Sequence, residues 1–222
     1  MAAKPSAQKK LKQPDEFITL SSRLLTFATT YYRHGLALLL LLAVAVGGWG
    51  LYQQHRASQL AAASDQLAQL RLELSLPGPS ADTLAALEKL AATYPGLGPS
   101  VVARIYQAHL LYQDKKYADA AALYRSLQGR DPGLDVLLTE NLSYCLEAQG
   151  QYEAAAAALN PLVQEAQPAF RTDYLRRQAF LYERAGNRPQ AAALYKELLT
   201  LRPNPILASF LQEKIASLEA AP

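Results

Sequence analysis

Three histidines, one cysteine and a scatter of carboxylates are the groups in this chain that could do chemistry, and their spacing argues against it. His34, His55 and His109 lie 21 and 54 residues apart, so no two share a helical turn on which to hold a metal. Cys145 is the only cysteine, which excludes an intrachain disulfide and a thiolate cluster. It falls mid-helix on the packing side, where a structural thiol is the expected role. The sequon Asn141-Leu142-Ser143 also lies mid-helix and is read as chance. No glycine-rich phosphate loop and no G-x-S-x-G elbow occurs. The expectation is a protein that is not an enzyme and needs no metal or cofactor.

What remains is binding, and the residues available for it are rings and acids that recur in register. Three blocks carry the pattern: Ala103 to Gly133, Asn141 to Pro168 and Tyr174 to Asn204. Tyr117 and Tyr152 are 35 apart, and Ala120, Ala155 and Ala191 are 35 and 36 apart. Tyr124, Leu159 and Tyr195 keep the same offsets. Lys115, Gly150 and Gly186 mark a turn inside each block, and Pro132, Pro168 and Pro203 close the blocks by ending the second helix. Ala108, Ser143 and Ala179, with the three alanines, are small enough to let two helices approach. Leu111, Leu146 and Tyr182 are placed to face Tyr124, Leu159 and Tyr195.

These blocks resemble the tetratricopeptide repeat, a helix–turn–helix unit of about 34 residues. The resemblance implies an all-α fold, an α-solenoid of helical hairpins, over 53–222. Its parts would be a degenerate repeat at 58–98, repeats at 101–134, 136–169 and 172–205, and a capping helix at 205–219. The cap carries Ile206, Phe210, Leu211, Ile215 and Leu218 as one apolar stripe. Departures stand at Arg104, Thr139 and Leu175 for the usual aromatic, at Gln107 and Gln178 for leucine, and at Arg188 for the turn tyrosine; blocks one and three should therefore pack loosely. In such arrays the first helices line a concave face. By register that face carries Ile105, His109 and Tyr112, then Glu140, Tyr144 and Glu147, then Arg176, Phe180 and Glu183. Rings mixed with acids suit an extended polypeptide. The cation clamp that grips acidic chaperone tails is not present, because Ile105, His109 and Asp173 stand at three of its five places.

Before the repeats lies Gly35 to Tyr52, 18 residues without a charge. As a helix it rises about 27 Å, near the thickness of a bilayer core. Tyr31, Tyr32, Trp49 and Tyr52 stand at its ends as an aromatic belt would. Upstream, 1–13 reads as a disordered basic tail. Residues 14–34 read as an amphipathic juxtamembrane helix with Phe17, Leu20, Leu24, Phe27 and Tyr31 on one side. The chain then turns into the transmembrane helix, 35–52. Ala43, Gly47 and Gly50 would let another span approach closely.

The chain carries six basic and two acidic residues before 35, and 16 basic and 17 acidic after 52. That asymmetry predicts a cytoplasmic N-terminus and an external repeat domain. It also removes the electrostatic case for nucleic acid, which needs a concentrated basic face. A cleaved signal peptide is the competing reading, with Ala43-Val44-Ala45 as its site. Against it, 34 residues precede the apolar run, which continues past that site.

A basic tail, one anchor and a short external array of such repeats is similar to the bacterial family of membrane-anchored ancillary subunits of the Sec translocon. That resemblance implies an inner-membrane, single-pass adaptor with a periplasmic domain. Its partners would be Sec subunits, a membrane-anchored chaperone or foldase, and nascent secreted chains. A structural scaffold for polysaccharide export, pilus or cytochrome maturation machinery is the alternative that the same fold allows.

Overall fold

The computed structural model describes residues 16–75, 81–165, 167–201 and 204–220, and among them every regular element is helical. Two compact units divide near Ser58.

The first unit is formed by α1, Glu16–Leu74, whose last residues belong to the second unit. The expected juxtamembrane helix, span and leading repeat helix are thus one element rather than three. The chain has no proline between Pro14 and Pro77, so nothing removes a donor from the hydrogen-bond ladder. Within α1 lies an 18-residue window of mean hydropathy 2.0, long and apolar enough to cross a membrane, and none of it is buried. A core helix would hide this surface; here the leucines from Leu38 to Leu42 are all exposed. The tail expected at 1–13 lies outside the described residues.

The second unit runs from Gln59 onward. After the end of α1 come α2 (Ala81–Thr93), α3 (Gly98–Gln113), α4 (Tyr117–Leu127) and α5 (Pro132–Ala148). Then follow α6 (Tyr152–Ala158), α7 (Asn160–Glu165), α8 (Pro168–Arg184), α9 (Arg188–Thr200) and α10 (Pro205–Ala220). From α2 onward the helices pack mainly on their neighbours in sequence, as in a solenoid, with α6 reaching past the short α7 to α8. Three apolar clusters follow one another along the stack. Leu67 and Leu70 of α1 pack with Leu87, Leu90 and Ala103. Tyr124, Leu138, Leu142, Leu146 and Leu159 hold the middle, and Leu175, Tyr195, Leu198, Leu211 and Ile215 hold the end. Each buried leucine contributes about 2 kcal/mol.

The small residues do what their size suggests. Ala108, Ser143, Ala179, Ala120, Ala155 and Ala191 are all 0 % exposed. Ser143 differs from its alanine counterparts by a hydroxyl, which donates to the Ala155 carbonyl at 2.9 Å and so brings no unmet polar group into the core.

Three expectations need correction. Pro132 and Pro168 do not end the preceding helices; they open α5 and α8, where the missing N–H is not needed. Pro203 lies outside the described residues. The stripe on α10 is split: Leu211 and Ile215 are buried with Leu207 and Leu218 beside them, whereas Ile206 is 85 % and Phe210 48 % exposed. Gln178 is not a loose substitute for leucine. The second helix of its preceding block breaks at Leu159, two residues before Pro161, giving α6 and α7. Gln178 is 4 % exposed, and its Nε2 donates to the Ala156 carbonyl at 3.0 Å and to Asn160 Oδ1 at 2.6 Å. The glutamine fits the break in the neighbouring helix.

Turn chemistry follows the repeat register. Lys115, Gly150 and Gly186 all have positive φ, at 62°, 76° and 77°. A Cβ at Gly150 would meet nothing within 4 Å, so backbone conformation alone sets the cost of a side chain there.

Gly150→Ala should lower stability by about 1 kcal/mol, and Lys115→Gly should raise it by up to about 1 kcal/mol. Urea unfolding followed by circular dichroism checks both. Gln178→Leu, a change toward the usual repeat residue, should destabilise by about 1–3 kcal/mol because it strips a donor from the buried Ala156 carbonyl and loses the bond to Asn160. A stability equal to or above the parent in the same assay would refute that account.

Candidate protein-binding groove

Three helices wall a groove of about 710 Å³ in the C-terminal half of the repeat unit. Helix α5 supplies Glu140 and Tyr144, one turn apart. Helix α8 supplies Asp173, Tyr174, Arg176, Arg177, Phe180 and Glu183, spaced by threes and fours so that they share a face. Helix α10 adds Phe210 and Lys214, again one turn apart, and Tyr195 of α9 closes the base.

The lining is fixed by ion pairs between helices. Arg177 donates to Glu147 Oε2 at 2.6 Å, and its guanidinium lies over the Tyr144 ring at 3.9 Å. Its Nε is buried without a hydrogen-bond partner. Glu183 is held from two sides: Lys214 Nζ donates to one oxygen at 2.6 Å, and the Tyr195 hydroxyl to the other at 3.0 Å. Burial, then the bond to Glu183 and its charge, push the Tyr195 hydroxyl well above its usual range. Burial first, then hydrogen bonding toward Glu140 and the charge of that carboxylate, push the Tyr174 hydroxyl up to about 12. Arg176 pairs with Asp173 of its own helix at 2.8 Å, both well exposed. Burial raises the Cys145 thiol to about 11, so it is protonated at neutral pH and inert as a nucleophile.

The nine residues expected on one concave face separate into groups. Glu140, Tyr144, Arg176, Phe180 and Glu183 line the groove. Glu147 ties α5 to α8 from behind Tyr144, through Arg177. Ile105 and Tyr112 do not line it: they pack half-buried against the middle cluster, and Tyr112 meets the Tyr117 ring at 5.1 Å. His109 is exposed and bonds Gln113 within α3 at 2.9 Å, also away from the groove. Sequence reasoning missed Tyr174, Phe210 and Lys214. The spacing of 173, 176, 177 and 180 could have flagged Tyr174; nothing local marks Phe210, because α10 reads as a cap.

In the first unit, Ala43, Gly47 and Gly50 all lie on α1, exposed, and a Cβ at either glycine would meet nothing within 4 Å.

Helical hairpins of about 35-residue period, stacked in sequence order around small buried residues, define an α-solenoid of the tetratricopeptide type. The chain belongs to the tetratricopeptide repeat-like domain family, whose match extends over residues 26–220. Comparison with curated proteins gives no match. Such repeats are protein-interaction modules, and the groove's rings and paired charges suit non-covalent binding.

Arg177→Ala should cost about 1–2 kcal/mol, since it removes a half-buried ion pair and a ring contact together. Arg177→Lys should recover only part of that loss, because an ammonium lacks the planar fork. Urea midpoints of the three proteins test the order.

Proposed function

We propose that this protein is a membrane-anchored interaction adaptor, ancillary to the Sec translocon, whose repeat domain stands in the periplasm and receives secreted chains. The observation that carries the reading is the unburied apolar run of α1 followed in the same chain by a repeat domain with a ring-lined groove. Exposed leucines on that scale need lipid around them. The basic excess ahead of the span favours a cytoplasmic N-terminus. The link to the translocon rests on the order of basic tail, anchor and short external array. On this reading the face of Ala43, Gly47 and Gly50 admits a partner's span, and a membrane-anchored chaperone or foldase is a second protein partner. The groove holds its clients by ring contacts and leaves their chemistry unchanged.

A photoreactive residue in place of Tyr144 in living cells tests the reading. Capture of many different secreted chains together with Sec subunits is the expected result. Capture of one stoichiometric envelope component would refute it and favour a structural scaffold.

A further inference from the structure

The groove's charges cancel everywhere but at one point. Arg176, Arg177 and Lys214 are each bonded to a carboxylate, at 2.8, 2.6 and 2.6 Å. Glu140 is the exception. It lines the groove beside the neutral Tyr174 hydroxyl, and among the described residues no cation pairs with it. Rings share the lining with it: Tyr144 and Phe180 are 42 % exposed, and Phe210 is 48 % exposed.

We propose that the groove binds an extended polypeptide segment in which one lysine or arginine is flanked by uncharged apolar side chains, with Glu140 receiving the cation. The proposal rests on the adaptor reading and names the client chemistry of that same groove.

Charge complementarity selects this occupant. A segment ending in a carboxylate finds every groove cation already bonded, and it meets the charge of Glu140. A wholly apolar segment would fill the space between the rings yet strip water from Glu140 without replacing its hydrogen bonds, which is costly. A basic residue meets both requirements. Its head pairs with a carboxylate in surroundings drier than open solvent, where such a pair is stronger. Its aliphatic stem lies along the rings. The flanking side chains also have somewhere to go. Tyr174 is shared with a second groove of about 410 Å³, on which Phe170 and Val136 are exposed. A segment threaded past Tyr174 therefore meets apolar side chains in both grooves.

The test uses the full chain in lipid nanodiscs, with empty nanodiscs correcting for partition into lipid. Three capped, fluorescently labelled peptides differ at one central position, which is lysine, norleucine or glutamate between leucine and phenylalanine residues. Anisotropy should show the lysine peptide binding roughly tenfold more tightly than the norleucine peptide, and the glutamate peptide most weakly. Glu140→Gln should remove the lysine preference by weakening that peptide roughly tenfold. Added salt should narrow the preference in the parent protein. Phe180→Ala should weaken the lysine and norleucine peptides alike, with an unchanged helical spectrum showing that the fold persists.

The basic anchor is overturned if norleucine matches lysine in the parent protein, or if Glu140→Gln keeps the preference. In that case a continued loss with Phe180→Ala shows that the groove still binds polypeptide. If no peptide binds, or if Phe180→Ala changes nothing, the groove itself is not the binding site and both readings fall together.

Discussion

Six side chains set how closely the helices of this domain can approach. Ala108, Ser143 and Ala179 on one helix of each hairpin, and Ala120, Ala155 and Ala191 on the other, are all fully buried. Any larger group would force the axes apart, and overpacked interiors lose stability as surely as cavities do. With the backbones this close, the next shell must fill the space beside the contact. Tyr124, Leu159 and Tyr195 do so in turn, each nearly or wholly buried. The 35-residue period is the sequence trace of that contact repeated along the stack.

The groove follows from the same packing. With Ala179 turned toward the partner helix, residues three and four apart from one another on a different face of α8 line the groove. Asp173, Tyr174, Arg177 and Phe180 fall there. Two carboxylates that register places on the concave face also brace the walls. Glu147 holds Arg177 across α5 and α8, and Glu183 joins α8 to both α9 and α10. Groups so engaged are poor ligand contacts, since a ligand would first have to displace a short ion pair. The rings beside them stay half exposed.

Much of this was legible along the chain. The turn positions Lys115, Gly150 and Gly186 share a left-handed conformation, as their common offset suggests. The apolar run from Gly35 stood out because no polar face interrupts it. Other features were not legible, for identifiable reasons. Ile105 and Tyr112 have the register of concave-face residues, but register fixes direction and not depth, and both pack half-buried against the middle cluster. Gln178 looked like a weakness because its acceptors, Ala156 and Asn160, lie about twenty residues earlier on a helix broken near Pro161.

The sequence by itself determined the helical class, the repeat period, the small residues at each crossing and the apolar segment in α1. These depend on local periodicity and on side-chain size, which are written residue by residue. Only the tertiary structure decided which charges are spent on one another and which ring faces stay open. Arg177 meets Glu147 from 30 residues away, and Lys214 meets Glu183 from 31. Pairings at that distance depend on where three separate helices come to rest. Glu140 is left outside every such pair because of that arrangement, and its isolation is invisible until α5, α8 and α10 are seen together.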